Sequence, residues 1–157
     1  MRVAGLAYVA YFALALAGGA LKSAPVQLVA TAMYLVVSVV LYRTFCSADP
    51  KVALALLPLA LIGCAIQAAG QLQADAGMLR AALVPFGLFL VVLAYLLARS
   101  GIAPRALAVV VGVAGLAWPA VAVPGVPTWY AALAVGLGLL AEVAVMVWLL
   151  VARDPRG

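Results

Sequence analysis

The charged side chain with the most unusual setting in this sequence is Glu142, because it alone lies inside a long apolar run. A carboxyl group in apolar surroundings can accept a proton or a cation, or it can act as a neutral hydrogen-bonding acid. Its neighbours three and four residues away on a helix are Gly138, Leu139, Val145 and Met146. The glycine leaves a notch on this face, so we expect the face to pack inward.

The candidate partners of Glu142 are neutral. Tyr11, Tyr34, Ser38 and Cys64 lie at a similar depth when the apolar runs are measured from the same side, and no Lys, Arg or His does. Two interpretations stay open. Glu142 is either a proton or cation acceptor in mid-membrane, or a neutral acid that bonds Tyr34 or Ser38 across a helix contact, an interaction worth about 1 kcal/mol.

The elements that must position these residues are six apolar runs. The chain is 70% hydrophobic and 8% charged. A bilayer core about 30 Å thick needs roughly 20 apolar residues per helix, and a soluble core does not use such runs in series. The sequence therefore predicts an all-α, polytopic membrane helix bundle formed by one domain over residues 1–157. The predicted spans are residues 3–21, 26–46, 52–72, 78–99, 104–123 and 129–152.

Short breaks separate these runs. Residues 22–25, 47–50, 100–104 and 124–127 each contain a proline, and short connections favour antiparallel neighbours. We expect an up-down bundle of three hairpins. Prolines inside spans remove a backbone donor and favour kinks, and they occur at Pro58, Pro85 and Pro119.

The first run has a second interpretation. A single Arg2 followed by an apolar stretch that ends in small residues could be a signal peptide, although the stretch is long and its cleavage motif is poor. We expect a retained span.

The basic residues fall mostly on one side of such a bundle, and a cytoplasmic excess of Lys and Arg orients membrane proteins. Lys22 and Arg80 lie on the sparse side. Both termini are therefore predicted to be cytoplasmic. The residues on the dense side are Arg2, Arg43, Lys51, Arg99, Arg105, Arg153 and Arg156.

Aromatic and basic residues at the ends of the runs are typical anchors at the membrane surface, where an aromatic ring sits at headgroup depth and an arginine reaches water. We expect these cations to contact lipid headgroups, and not nucleic acid, because they form no dense basic run. The predicted anchors are Arg43, Arg99, Arg153, Trp129, Tyr130 and Trp148.

Several reaction classes lack their residues. The sequence has no histidine, which excludes bis-His haem sites, HExxH zinc sites and Ser-His relays. Cys46 and Cys64 have no metal-ligand spacing, and no phosphate-binding glycine loop is present. We therefore expect a protein that is not an enzyme and has no metal or cofactor.

The second half of the chain carries the most family-like motifs. These are GLFLVVLAYLLARSGIAPR at residues 87–105, Ala-Gly-Leu at 114–116, and Ala-Glu at 141–142 with Trp-Leu-Leu-Val at 148–151. With weaker similarity at residues 4–6 and 41–43, the chain resembles the bacterial membrane family called domain of unknown function 4386, as a shortened and divergent member. That resemblance implies a six-helix fold in the bacterial inner (cytoplasmic) membrane and no established activity.

The same resemblance implies a reduced polar site. Cys64 stands where the family often has arginine, ahead of the polar Gln67, and Phe89 stands where a histidine is common. Glu142 has then lost its counter-ion.

Two functions remain open. The first is a non-enzymatic integral membrane protein, an accessory or self-associating subunit, with membrane lipid and either a second copy or another membrane subunit as partners. It predicts a packed interior around Glu142. The alternative is a small transporter or lipophilic-ligand-binding protein, in which Glu142 faces a cavity shaped by Pro58 or Pro119.

Overall fold

The computed structural model describes residues 1–152 of the chain, so the predicted anchor Arg153 lies outside the described residues. The described part is all α-helical and contains no strand. Its helices are α1 (Arg2–Ala20), α2 (Ala24–Phe45), α3 (Pro50–Leu54), α4 (Leu56–Gln73), α5 (Ala76–Ala81), α6 (Leu83–Ser100), α7 (Arg105–Val121) and α8 (Thr128–Val151).

These helices form six segments, because α3 continues into α4 through Ala55 and α5 continues into α6 through Ala82. Both interruptions have the same cause. Pro58 has no N–H for the carbonyl four residues earlier, where α3 ends, and Pro85 has the same relation to the end of α5. The helix is interrupted before both of these prolines, although Ala55 and Ala82 keep right-handed helical dihedral angles. Pro119 lies inside α7 without ending it.

The six segments match the six predicted runs to within three residues at each end. Five of them are long and apolar enough to cross a membrane, and α7, with 17 residues, is shorter. Large apolar side chains on these helices face outward, including Leu16, Leu72, Leu116 and Leu140. An apolar outer surface of this extent fits a lipid environment and not water.

The segments form a closed ring in chain order, since each contacts the next and α8 contacts α1. Close approaches show that the neighbours are antiparallel. Gly5 near the start of α1 packs on Leu150 near the end of α8, and Gly18 near the end of α1 packs on Gln27 near the start of α2. We call the end of the ring that holds Met1 and Ala152 the terminal end, and the other end the opposite end. This arrangement is the predicted up-down bundle.

The closest helix contact is between α6 and α7, where two glycines meet. A Cβ on Gly87 would lie 2.6 Å from the carbonyl oxygen of Gly115, and one on Gly115 would lie 2.7 Å from the oxygen of Gly87. The carbonyl of Gly115 is the one that Pro119 cannot satisfy, because it lies four residues earlier. The glycine pair therefore lets two backbones touch where one carbonyl lacks its helical donor.

The interior of the terminal half is filled with large side chains. All of them are fully buried, and they come from every segment of the ring. We call this group the core plug. It consists of Tyr8, Leu41, Phe45, Leu56, Leu93, Leu96, Leu97, Val111 and Leu149.

Two of the acids, Asp49 and Asp75, lie between the apolar runs and at the starts of helices. Asp49 accepts a hydrogen bond from the backbone N–H of Val52, and Asp75 accepts two, from Gly77 and Met78. These caps satisfy backbone donors that α3 and α5 leave free.

Candidate functional site

Glu142 makes one side-chain hydrogen bond within the described residues, and this bond crosses the ring of helices. The hydroxyl of Tyr34 on α2 donates to Oε1 of Glu142 on α8 at 2.8 Å. Both side chains are only 3% exposed, and α2 and α8 are not neighbours in the ring. Tyr34 was one of the two partners expected from depth along the helices.

An aromatic cluster holds the Tyr34 ring in place. The rings of Tyr11 and Phe86 meet it edge-on, with centroids at 5.0 and 5.2 Å, and Phe89 lies tilted against it at 5.5 Å. Edge-to-face pairs at these distances are favourable. The phenol is thus fixed from α1 and α6 while its hydroxyl reaches α8.

A cleft of about 310 Å³ lies beside this pair. It runs from Glu142 towards the opposite end of the ring, where Leu79 in the first turn of α5 forms part of its rim. The core plug lies between the cleft and the terminal end. Its lining residues are Tyr11, Tyr34, Gln67, Leu79, Ala82, Leu83, Phe86, Trp118, Val135, Leu139 and Glu142.

Three lining residues carry polar atoms that no side chain or backbone group of residues 1–152 satisfies. They are Oε2 of Glu142, the hydroxyl of Tyr11 and the side-chain amide of Gln67. Burial without a partner is unfavourable for such groups, and Glu142 is the most buried of the three. The cleft therefore presents one nearly enclosed carboxyl oxygen and two weaker polar groups to an occupant.

Trp118 forms one wall of the cleft, and a glycine makes room for it. A Cβ on Gly138 would collide with the indole ring, and the indole N–H donates to the carbonyl of Ala134 at 2.9 Å. The expected notch on the face of Glu142 is thus confirmed, with Trp118 of α7 seated in it.

Prolines lie beside the cleft at two places. Pro85 lies between the lining residues Leu83 and Phe86, and Pro119 follows Trp118. Of the two prolines expected to shape a cavity, only Pro119 is next to a lining residue, because no neighbour of Pro58 lines the cleft. The interrupted start of the α5–α6 segment forms another wall of the cleft, through Leu79, Ala82, Leu83 and Phe86.

Two other candidate residues do not join the site. Ser38 donates to the carbonyl of Leu35 on its own helix at 2.8 Å, and Cys64 donates to the carbonyl of Thr31 at 3.4 Å. Neither lines the cleft. Their side chains bond backbone carbonyl groups instead.

Sequence reasoning missed Tyr8. Its ring is fully buried, and its hydroxyl has no hydrogen-bond partner within the described chain. It stacks on Phe12 at 6.1 Å and meets Tyr11 edge-on at 6.5 Å. Its spacing of three residues from Tyr11 on one helix was the available signal.

The predicted anchors lie near the two ends of the ring. Arg43 and Arg99 line an open groove of about 750 Å³ at the terminal end, and no carboxylate from the described residues lines it. Trp148 stacks on the buried Phe45 at 6.5 Å. At the opposite end Trp129 is 67% exposed, while Tyr130 donates to the carbonyl of Ala117 at 3.3 Å.

The strongest polar group that lines the cleft is the acid Glu142. Across residues 1–152, no three His, Cys, Asp or Glu side chains come together as a metal site would need. The chain matches no family model, no curated protein and no solved structure.

Proposed function

We propose that this chain is a non-enzymatic, multi-pass protein of the bacterial inner membrane that binds a small lipophilic molecule in the cleft, with Glu142 as its polar anchor. The observation that carries this proposal is the free Oε2 atom of a carboxyl that is 3% exposed, at the inner end of a 310 Å³ cleft.

The size and lining of the cleft support this function. Small-molecule sites have volumes of roughly 300 to 1,000 Å³ and combine an apolar lining with a few polar groups. Here the polar groups are those of Glu142, Gln67, Tyr11 and Tyr34, and the rest of the lining is hydrocarbon or indole. The volume favours an occupant with one aromatic ring or a short branched chain.

The core plug at the inner end of the cleft also bears on the function. The core plug fills the interior between the cleft and the terminal end. A transporter would have to move this plug to release its ligand at the other side, whereas a binding protein would not. The present arrangement supports binding directly, and transport would require a second conformation.

The same proposal includes three further points. The chain is a member of domain of unknown function 4386, both of its termini are cytoplasmic, and Arg43 and Arg99 contact anionic headgroups. The groove at the terminal end supports the last of these, because it places two arginines together with no lining acid from the described residues.

The second candidate is the accessory or self-associating subunit. One feature favours it: Gly136 on α8 has open space within 4 Å of its Cβ position, so another helix could approach there closely. It predicts a stable oligomer or copurified membrane subunit whose assembly depends on Gly136 and not on the cleft.

Quenching of Trp118 fluorescence tests the binding function. Trp129→Phe and Trp148→Phe leave Trp118, which lines the cleft, as the single tryptophan. Because bromine quenches indole fluorescence on contact, para-bromoneopentylbenzene bound in the cleft should quench it in a saturable manner.

The chain offers a matched pair of blocking variants. Val135 lines the cleft and is 43% exposed, while Val147 is on the same helix, is 47% exposed and lies away from it. Val135→Phe should abolish saturable quenching, and Val147→Phe should preserve it. Quenching that rises linearly and equally in both variants reflects partition into detergent or lipid, and it would refute the proposed function.

A further inference from the structure

We propose that the occupant of the cleft is a lipophilic organic monocation, and that it displaces the proton of Glu142 when it binds. This inference rests on the proposed function and names the class of ligand for the same site.

The first argument is the ring of aromatic side chains around the carboxyl. Tyr11, Tyr34, Phe86 and Trp118 all line the cleft with Glu142. Aromatic faces attract cations, most strongly where water is excluded, and aromatic cages are a recurrent site for quaternary ammonium groups. A purely apolar ligand would need no such concentration of π-systems beside an acid.

The second argument is the missing counter-charge. Each of the basic residues lies outside the interior of the spans by sequence, and none of those that the structure describes lines the cleft. A carboxylate enclosed at this depth is stable only with a cation beside it. Since the protein supplies none there, the ligand is the group that can provide it.

The titratable groups that surround Glu142 do not replace that cation. Tyr11 of α1 and Tyr34 of α2 line the cleft with Glu142, and Tyr8 packs on Tyr11. Cys64 of α4 lies outside the lining and bonds the carbonyl of Thr31. From α6 and α7, Phe86 and Trp118 line the cleft, and neither titrates. Phenols and thiols carry no positive charge in any protonation state. Glu142 is therefore the group whose proton can exchange with a cation.

The exchange balances in charge and atoms. In the empty cleft the carboxylic acid accepts the hydrogen bond of Tyr34 on Oε1 and holds its proton at Oε2, the atom without a protein partner. When the cation enters, the O–H bond breaks, the proton leaves to water through the open end, and a carboxylate pairs with the cation. No net charge is added to the interior in either state.

An isosteric pair of probes tests this inference. Para-bromobenzyltrimethylammonium and para-bromoneopentylbenzene differ only in a quaternary nitrogen that replaces a quaternary carbon, and neither probe titrates. In the Trp118-only protein we expect the cation to bind at least about tenfold more tightly near pH 8, which is the scale of a desolvated cation–π contact. Its affinity should fall as the pH is lowered to about 6, towards about tenfold per pH unit, because the proton competes for the same carboxyl.

Glu142→Gln separates the charge from the shape of the site, since an amide is near-isosteric with a neutral acid. The variant should bind the cation at least about tenfold more weakly and without pH dependence, and an unshifted emission maximum of Trp118 shows that it is folded. In weak buffer near pH 6 the parent should release close to one proton for each cation bound.

The outcomes distinguish the two proposals. If the neutral probe binds saturably and as tightly as the cation, or if cation binding ignores both pH and Glu142→Gln, the cation inference is overturned while the proposed function stands. If the neutral probe does not quench Trp118 saturably, the proposed function is overturned, and the cation inference that rests on it is overturned too.

Discussion

The hydroxyl of Tyr34 and the carboxyl of Glu142 form a 2.8 Å hydrogen bond across the helix ring, although 108 positions separate them in the chain. This bond uses one oxygen of the acid and leaves the other without a protein partner in residues 1–152, in a side chain that lines the cleft. The same contact joins α2 to α8.

Removing the Tyr34 hydroxyl should weaken this joint. Tyr34→Phe keeps the packing of the ring but leaves Oε1 of Glu142 without its donor, so we expect a loss of about 1 kcal/mol in the free energy of unfolding. Denaturant unfolding in detergent micelles measures it. The control is Tyr95→Phe, whose hydroxyl makes a longer, exposed contact of 3.4 Å with Asp49 and should change stability little. Equal losses in the two variants would show that the Tyr34 bond has no special role.

Removing the buried hydroxyl of Tyr8 should change the free energy of unfolding in the opposite direction to removing that of Tyr34. Because it has no partner within residues 1–152, Tyr8→Phe removes an unsatisfied polar group and should raise the free energy of unfolding by about 1 kcal/mol. Tyr8 and Tyr34 are both tyrosines with almost no exposure, so the pair is matched in burial and size. A loss in Tyr8→Phe as large as that in Tyr34→Phe would mean that the Tyr8 hydroxyl has a partner in the membrane.

Gly138 tests the wall of the cleft. Gly138→Ala places a methyl group in the indole of Trp118, so the ring must move and its bond to Ala134 must break. We expect destabilisation of about 1 to 3 kcal/mol and a shifted emission maximum of Trp118. Gly136→Ala is the control two residues away, where open space surrounds the Cβ position. An unshifted emission in Gly138→Ala would contradict the described wall.

The orientation of the bundle is a separate prediction. The seven basic residues on one side, against Lys22 and Arg80 on the other, predict that both termini lie in the cytoplasm. Fusions of a reporter that is active only in the cytoplasm should be active at either terminus, and fusions within residues 122–127 should be inactive. Activity at one terminus only would require an odd number of crossings.

The sequence predicted the six segments well because each depends on local properties. Apolar length gave the segments, and Pro58 and Pro85 gave the breaks at Ala55 and Ala82 through a missing N–H. Depth along a helix also follows from the constant rise per residue, and this placed Tyr34 and Ser38 together as expected partners of Glu142, of which only Tyr34 makes the bond.

The cleft could not be predicted in the same way, because it depends on how each helix is rotated and on which side chains reach the ring centre. Ser38 lies one turn from Tyr34, yet it bonds Leu35 on its own helix. Cys64 likewise bonds a backbone carbonyl of α2, while Gln67, three residues on, reaches the cleft. Only the packed ring shows that the large side chains fill the terminal half and leave the opposite half open.

Chemical labelling of Glu142 tests the central claim, that a lipophilic molecule can reach this acid through the cleft. Dicyclohexylcarbodiimide is an apolar reagent that converts an accessible carboxylic acid into a stable N-acylurea, which mass spectrometry locates by peptide. We predict modification at Glu142 in the parent and in Val147→Phe, reduced modification in Val135→Phe, and none at this position in Glu142→Gln. An unmodified Glu142 in the folded parent, or equal modification in Val135→Phe and Val147→Phe, would contradict the account.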